Sequence, residues 1–385
     1  MKKIIMKLLA IINSILKKNK NKVCFVSHPD FSDNAMSVFD YMVTNKSMQY
    51  EIVWLVNELY IPSNMDELKK QFNIKVIKLK SLRGILNYMT SKYIFYTHGA
   101  LNGIECLDKQ IVVNLWHGMP LKNIGYLDNK TVEDVAHFTY TIATSEEFQN
   151  VQSKVFGVDK NKVLITGLPR NDRMNKFRDI LKKLGINGQQ YNKKILWMPT
   201  FRKSSVGDKR TDGNCKDGQL PLLSSEDLVS FNKYLNYNKI LLIIKLHPMD
   251  TLQKKDFSEL SNIKVFVNDD FTNIEEQLYS IFQEIDALIT DYSSVYFDFM
   301  ILNKPIGFVM DDLGEYSSSR GFVFEDIYAW MPGPIIKDVA QLHSFVEQIN
   351  NNMDEYKDIR ETVNNKTNKY SDFNNTERLF DILKL

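Results

Sequence analysis

Five short polar turns follow apolar segments of the chain, and their side chains are of the kinds that bind phosphate or move a proton. They contain histidine, arginine, lysine, serine and threonine, which donate hydrogen bonds or carry positive charge near neutral pH. The turns read WHGMPLK, GLPRND, PTFRK, KLHPMD and TDYSS, and they begin at residues 116, 167, 199, 245 and 290. Five such turns are more than packing requires, so we predict a site for a ligand that bears phosphate groups.

Each turn taken alone also has an ordinary structural explanation. A serine before an apolar helix, such as Ser293, is more often an N-cap than part of an anion site. His247 before Pro248, and His117 beside Trp116, each have the alternative of a hydrogen-bonded histidine at a strand end. The prediction therefore depends on the turns occurring together, with Ser293 and Ser294 offering hydroxyl and backbone N–H donors at a helix N-terminus.

Motifs for several other chemistries are absent from the sequence. It contains no P-loop, no G-x-G-x-x-G, no H-E-x-x-H and no G-x-S-x-G motif. It also has no D-x-D at a strand end that would hold a metal-bound nucleotide. We therefore predict no cofactor and no bound metal, and expect side chains and helix dipoles to neutralise a bound diphosphate.

Composition limits the class of protein. The chain has 385 residues, of which 44% are hydrophobic, and this length favours two domains. Its net charge of +2 does not favour nucleic acid as a partner. The three cysteines are widely scattered, which predicts neither disulfides nor a zinc cluster and fits a reducing cytosol.

The turns must be positioned by strands, and short apolar runs alternate with helical patterns along most of the chain. This alternation predicts βαβ units and parallel sheets. The strand candidates of the first domain lie at 22–27, 50–57, 74–79, 92–97, 111–117, 140–144 and 162–167. Those of the second domain lie at 194–199, 239–247, 263–268, 286–290 and 304–310.

We predict two Rossmann-like, doubly wound domains from this pattern, at residues 21–185 and 190–340. A polar stretch at 175–194 marks the boundary between them. Residues 341–385 are expected to form helices whose last segment could pack back on the first domain. A loop at 203–222 has few apolar residues, and a loop of that length is usually functional or mobile.

Residues 1–20 have the pattern of a basic amphipathic helix. Ile4, Leu8, Ile11, Ile12 and Ile15 share one face, and lysines without interleaved acids occupy the other face and the helix end. This pattern is typical of a helix that lies in an anionic membrane interface. The alternative is an N-terminal helix that packs on the core of the protein itself. No apolar run reaches the roughly 20 residues needed to span a bilayer.

The ordered motifs resemble those of one family. WHGMPLK, GLPRND, KKILWMPTFR, KLHP, ALITDYSSVYFDFMILNKPIGF, RGFVFED and PGPII are similar, in this order, to the CDP-glycerol glycerophosphotransferases of teichoic acid and capsule synthesis. The resemblance covers about residues 22 to 345. It implies a GT-B fold, with two Rossmann-like domains that face a cleft, the nucleotide donor being held mainly by the C-terminal one.

The resemblance also implies residue roles. His117 would be the general base, and His247 would lie near the donor diphosphate. The other expected donor-binding residues are Thr200, Arg202, Lys245, Asp291, Ser293, Ser294, Arg320, Glu325 and Asp326. Residues expected on the acceptor side or in the cleft are His28, Asp33, Asn34, Lys122, Arg170, Asn171 and Asp172.

The implied reaction is transfer of glycerol phosphate from CDP-glycerol to a hydroxyl of a lipid-linked, undecaprenyl-type acceptor, with release of CMP. The implied location is the cytoplasmic face of the cell membrane, as a peripheral enzyme of the size of the primase-type members. Alternatives are a CDP-ribitol donor, or a UDP-sugar as in other GT-B enzymes. A non-enzyme alternative is an inactive membrane scaffold, which the intact His117, His247 and Ser293 disfavour.

Overall fold

The protein forms two compact units. The computed structural model describes residues 2–46, 49–58, 62–128, 135–200, 220–246, 252–311, 313–314 and 321–385. Unit 1 comprises Met1–Met119, Gly125–Asn175 and Lys369–Leu385, and unit 2 comprises Pro120–Ile124 and Lys176–Asn368. Most of the loop predicted at 203–222 lies outside the described residues.

Unit 1 contains a parallel sheet of seven strands. The strand order is β3-β2-β1-β4-β5-β6-β7, so the order reverses between β1 and β4. Ligands of such sheets bind at this reversal, beyond the carboxyl ends of the strands. The strands are β1 (Asn19–Val26), β2 (Glu51–Val56), β3 (Ile74–Lys78), β4 (Ser91–Tyr96), β5 (Ile111–Asn114), β6 (Tyr140–Ala143) and β7 (Val163–Ile165).

Unit 2 contains a second parallel sheet, of six strands. Its order is β10-β9-β8-β11-β12-β13, and the reversal lies between β8 and β11. The strands are β8 (Lys193–Met198), β9 (Ile240–Lys245), β10 (Ile263–Phe266), β11 (Ala287–Thr290), β12 (Ile306–Val309) and β13 (Ile335–Ile336). The two sheets therefore share the doubly wound arrangement that the alternating pattern predicted.

Helices connect the strands of both sheets. Unit 1 holds the first five and the last of them, and unit 2 holds the others. They are α1 (Lys2–Ile15), α2 (Asp33–Lys46), α3 (Ser63–Gln71), α4 (Leu82–Thr90), α5 (Glu146–Phe156), α6 (Ile180–Lys183), α7 (Ser225–Tyr237), α8 (Asn268–Asn273), α9 (Val295–Phe299), α10 (Val339–Asn350), α11 (Lys357–Thr367) and α12 (Asn375–Leu383).

Aromatic side chains dominate the core of unit 1. Phe25 on β1 stacks on Trp54 of β2, with ring centroids 5.3 Å apart, and on Phe95 of β4 at 5.5 Å. Phe39 of α2 meets Phe25 edge to face at 5.7 Å. A parallel sheet covered on both faces needs strands that are apolar throughout, which explains the continuous apolar runs in the sequence.

The observed unit boundaries differ in part from those predicted. Residues 176–185, expected in the first domain, lie in unit 2. There the Glu284 carboxylate accepts hydrogen bonds from the backbone N–H groups of Ile180 (2.5 Å) and Leu181 (3.1 Å) at the start of α6. Of the expected C-terminal helices, α10 and α11 belong to unit 2 and α12 belongs to unit 1.

Helix α1 is attached to unit 1 through one buried polar side chain. The Asn13 amide nitrogen donates to the Ile104 carbonyl and to the Gln110 side-chain oxygen, both at 2.8 Å. Gln110 in turn donates to the carbonyls of Tyr88 and Ser91, at the end of α4. In the part of the chain that the structure describes, no helix has the length and apolar character needed to cross a bilayer.

Candidate active site

Three histidine rings meet at the carboxyl edge of the unit 1 sheet. His28 follows β1, His98 follows β4 and His117 lies just beyond β5. The rings of His98 and His117 are stacked, with centroids 4.1 Å apart and planes 11° apart, and His28 meets His98 edge to face at 6.0 Å. All three residues are accessible to solvent, but protein atoms surround the rings of His98 and His117 closely enough to desolvate them and lower their pKa. Because β1 and β4 flank the strand-order reversal, the cluster lies where a ligand of this fold is expected.

A buried ion pair supports the backbone at His117. The Arg170 guanidinium donates from Nη1 to the Asp33 carboxylate and to the His117 carbonyl oxygen, each at 2.9 Å. The Arg170 side chain is only 5% exposed. Buried charges of this kind are paired and hydrogen-bonded, and removing one partner leaves the other uncompensated. Arg170 and Asp33, both predicted as cleft residues, therefore hold the loop that carries His117.

Asn34 joins three loops of the same region. Its amide nitrogen donates to the carbonyls of Leu115 (3.1 Å) and Trp116 (3.0 Å), and its side-chain oxygen accepts from the Arg170 backbone N–H (3.0 Å). The side chain is fully buried. Asn34 was predicted on the acceptor side, but burial makes it a support for the loop rather than a ligand contact.

The backbone of the His117 loop is unusual. Trp116 has a φ of 53°, and Gly118 has a φ of 136°, a conformation that residues with a Cβ rarely adopt. The Trp116 N–H bonds to the Asn114 side-chain oxygen at 3.0 Å. This turn brings the indole of Trp116 to 4.1 Å from the His117 ring centroid.

The surroundings of His117 keep its imidazole neutral. Burial lowers the pKa of His117 below its ordinary value, and the nearby Arg170 charge lowers the pKa further. The Asp33 carboxylate and a hydrogen bond with the Thr97 backbone act in the opposite direction, because both favour the imidazolium. A neutral imidazole with one nitrogen held by the backbone presents a lone pair on the other nitrogen, as a general base requires.

Asp172, predicted as an acceptor-side or cleft residue, caps a helix. Its carboxylate accepts from the backbone N–H groups of Asn375 (2.9 Å) and Thr376 (2.8 Å), and from the Thr376 hydroxyl (2.6 Å). Burial raises the pKa of Asp172 to about 6 although these bonds oppose the shift. The carboxylate caps the first turn of α12. Asn171, also predicted, is buried with a side-chain exposure of 1%.

In unit 2, Asp291 and Thr200 meet at the strand-order reversal. Thr200 follows β8 and Asp291 follows β11. One Asp291 oxygen accepts from the Thr200 backbone N–H at 2.8 Å and from its hydroxyl at 2.9 Å. The Asp291 side chain is buried, so its carboxylate fixes the start of the segment that follows β8. These two predicted donor-side residues are thus brought together.

Lys245 lies at the end of β9 in a buried position. Its ammonium group donates to the Leu246 carbonyl oxygen at 2.8 Å. Burial lowers the pKa of Lys245 to about 8, although the carboxylates of Asp270 and Asp269 act to raise it. Lys245 is therefore still mostly charged at neutral pH, at the carboxyl edge of the second sheet.

Ser293 and Ser294 precede a shorter helix than the sequence pattern implies. Helix α9 has five residues and continues as a 3-10 turn at Met300–Leu302. Ser294 is the N-cap residue, but its side chain makes no capping hydrogen bond, and the Ser293 hydroxyl accepts weakly from the Val295 N–H at 3.5 Å. Both side chains are half-buried, and so short a helix contributes little of the dipole that the anion-site argument assumed.

The remaining predicted residues are more dispersed. Lys122 lies in unit 2, because residues 121–123 pair with residues 321–323 through an antiparallel bridge between Lys122 and Phe322. Glu325 and Asp326 are exposed, and Asp326 caps the short turn Ile327–Trp330 by accepting from the Tyr328 N–H at 3.1 Å. Arg202, His247 and Arg320 lie outside the described residues.

His98 is the site residue that sequence reasoning missed. It has no motif of its own, and the only signal was that it follows the strand candidate at 92–97. Among the described side chains, no group of three or more His, Cys, Asp or Glu is arranged to hold a metal ion.

Two doubly wound, parallel α/β units with polar side chains at their strand-order reversals fit the GT-B fold class. The chain belongs to the CDP-Glycerol:Poly(glycerophosphate) glycerophosphotransferase family, whose model matches residues 8–385. The family recognised from the motifs, and the prediction of a transferase, are therefore confirmed.

Individual relatives agree with the family assignment. A teichoic acid glycerol-phosphate transferase from Staphylococcus aureus (strain NCTC 8325 / PS 47) is 26% identical over 367 residues, which span 89% of this chain and 87% of the relative. A teichoic acid glycerol-phosphate primase from Bacillus subtilis (strain 168) is 32% identical over 245 residues, or 60% of this chain and 58% of the relative.

A solved structure supports the fold. The wall teichoic acid polymerase TagF superimposes with a TM-score of 0.76 at 19% sequence identity, covering 100% of this chain and 95% of that chain. This likeness confirms the predicted GT-B fold class.

Proposed function

We propose that the protein transfers glycerol phosphate from CDP-glycerol to a hydroxyl of a lipid-linked saccharide or polyol-phosphate acceptor and releases CMP. The observation that carries the proposal is His117, a neutral and exposed imidazole on a braced loop at the strand-order reversal, in a chain of this family. The name of the family supports CDP-glycerol as the donor.

In the proposed step, an acceptor hydroxyl attacks the phosphorus atom that bears glycerol. A new O–P bond forms, and the bond from that phosphorus to the oxygen of CMP breaks, so CMP leaves with the bonding electrons. The hydroxyl proton goes to the free nitrogen of His117. General bases of this kind contribute about 10²–10⁴-fold to rate. The Asp33 carboxylate partly balances the positive charge that His117 acquires.

Donor binding is proposed for unit 2. Lys245 and the hydroxyls of Ser293 and Ser294 lie at or beyond carboxyl strand ends and suit the charge of a diphosphate. Asp291 positions Thr200 for the same purpose. Arg202, His247, Arg320, Glu325 and Asp326 remain predicted donor-side residues.

A donor panel tests the proposal. The enzyme is incubated with CDP-glycerol, CDP-ribitol or a UDP-sugar and a lipid-linked acceptor, and the products are weighed by mass spectrometry. We expect CMP release and a mass increase of glycerol phosphate with CDP-glycerol. CDP-ribitol is a serious rival, because a teichoic acid ribitol-phosphate primase from Bacillus spizizenii is 28% identical over 254 residues. Transfer from a UDP-sugar, or no transfer from any donor, would overturn the proposal.

The role of His117 has a matched control in the same panel. His117→Ala should lower CMP release by about 10²-fold or more. His343→Ala should not change the rate, because His343 contacts Phe231 and Tyr234 in unit 2. Near wild-type CMP release by a folded His117→Ala protein would show that His117 is not the base.

We also propose that the protein binds the cytoplasmic face of the membrane through α1. The apolar residues on one face of α1 are not packed on the core, as Ile4 is 65% exposed and Ile15 is 77% exposed. Lysines flank this surface, which suits anionic lipid headgroups. Such binding would bring the enzyme to a lipid-linked acceptor.

A further inference from the structure

We propose that His98 is a positioning residue for the transfer reaction, because its ring holds the His117 imidazole in the orientation that accepts the acceptor proton. This inference rests on the proposed role of His117 as the base. Neither the sequence motifs nor the resemblance to the family singled out His98.

The contact between the two rings is close and nearly parallel. Their centroids are 4.1 Å apart and their planes 11° apart, which is the geometry of a stacked aromatic pair. A stacked ring restricts rotation of its neighbour about the Cβ–Cγ bond. The stack therefore selects the plane in which His117 presents its lone pair.

One residue fixes both rings. Thr97 is fully buried at the end of β4, and its N–H bonds to the Val26 carbonyl at 3.2 Å. Its hydroxyl lies 2.9 Å from Nδ1 of His98, and its backbone hydrogen-bonds to the His117 ring. His98 and His117 are thus both hydrogen-bonded to the end of the same strand, β4. This shared anchor distinguishes the pair from two surface side chains that happen to touch.

Electrostatics supports the same role. Burial lowers the pKa of His98 well below its ordinary value, and the charges of His117, His28 and Arg170 lower it further, whereas Asp33 raises it. His98 therefore stays neutral while His117 receives a proton.

Two substitutions of His98 distinguish an effect of ring packing on His117 from an effect of protonation of His98. His98→Ala removes the stack, and His98→Phe keeps an aromatic ring that cannot titrate. We expect His98→Ala to lower kcat about tenfold to a hundredfold, by analogy with the loss seen when the partners that orient metal-ligating histidines are removed. KM for CDP-glycerol should change less than twofold. His98→Phe should recover most of the lost kcat.

The pH profile gives a readout that loss of stability alone would not move. Because the pKa of His117 is lowered by burial, the acid limb of kcat/KM should lie below pH ~6.5 in the wild-type protein. His98→Ala uncovers one face of the His117 ring, so the ring becomes less buried. The pKa of His117 should then rise, and the acid limb should move to higher pH. His98→Phe keeps the face covered, so the limb should stay in place.

¹⁵N NMR of the ring nitrogens should show His117 as one neutral tautomer in wild type and as a mixture in His98→Ala.

The outcomes distinguish this inference from the proposed function. If His117→Ala loses activity but His98→Ala keeps wild-type kcat and an unmoved acid limb, the positioning role is wrong and the proposed reaction stands. If His117→Ala keeps full activity, the base assignment fails and the inference fails with it. If His98→Ala does not fold, the inference is judged on His98→Asn, which lacks the six-electron ring and should show the same fall in kcat. His343→Ala again serves as the unaffected histidine control.

Discussion

At the scale of single residues, the side chains that hold His117 matter as much as His117 itself. Asn34 satisfies two loop carbonyls and one backbone N–H, all within a buried site. Removing it leaves those groups without their partner, at a cost of ~1–3 kcal/mol for each unsatisfied buried group. The loop that carries His117 then loses both stability and a fixed position.

We expect Asn34→Ala to lower the free energy of unfolding by about 3–4 kcal/mol, the lower end of the ~3–9 kcal/mol to which three such penalties sum. Urea unfolding followed by circular dichroism measures this change, and kcat should fall with it. Asn45→Ala on the same helix is the matched control, because Asn45 is exposed and bonds only to the Tyr41 carbonyl one turn away. Equal stability of the two variants would mean that other contacts hold the loop.

The sequence singled out His117 and Arg170 because each stands in a polar turn after a strand, and the resemblance to the family added Asp33 as an expected acceptor-side or cleft residue. It could not predict His98, since the stack on His117 depends on two strands becoming neighbours in the sheet. It also could not distinguish Asp172, a cap for α12, from Arg170 two residues earlier. Polar residues of one turn point to different partners, and only the fold decides which.

At the scale of elements, the apolar runs predicted the first twelve strands because buried parallel strands tolerate few polar residues. Strand β13 was missed because two residues between Pro334 and Lys337 give no periodic signal. The apolar pattern that begins at Val295 continues past Phe299, but helix α9 ends there and a 3-10 turn follows. Pattern alone does not separate these two helix types.

The attachment of α12 to unit 1 gives a prediction at this scale. Asp172→Ala removes the acceptor for two N–H groups and one hydroxyl, so unfolding should be easier by ~1–2 kcal/mol, as for other helix caps. Amide exchange over Asn375–Leu383 should speed up. Asp381→Ala, an exposed change on the same helix, should leave the exchange rates unchanged.

The effect of Asp172 should depend on pH with a defined sign. Because burial raises its pKa in the folded protein to about 6, its contribution to stability is complete below pH ~4, near the unfolded value. That contribution decreases as pH rises through 6. The loss of stability in Asp172→Ala should therefore be larger at pH 4 than at pH 7.5. A loss that is greater at pH 7.5 would mean that the ionised carboxylate is the more stabilising form.

At the scale of the whole molecule, we propose that α1 brings the enzyme to the membrane. The side chains of Leu8 and Ile11 on α1 are 55% and 58% exposed. Insertion into a bilayer would bury them, at ~1.5–3 kcal/mol for each fully buried side chain. Leu8→Gln combined with Ile11→Gln should weaken binding to phosphatidylglycerol vesicles about tenfold or more, since 1.4 kcal/mol corresponds to a factor of ten.

Vesicle co-sedimentation measures this binding, and the same assay with phosphatidylcholine vesicles isolates the contribution of the lysines. Tyr237→Gln is the control, because Tyr237 is 88% exposed but lies on α7 of unit 2.

Deleting residues 1–18 should release the protein from membranes and spare activity on a water-soluble acceptor analogue, since the His117 loop is held by residues outside α1. Undiminished binding of the deleted protein to anionic vesicles would show that another surface holds the enzyme at the membrane.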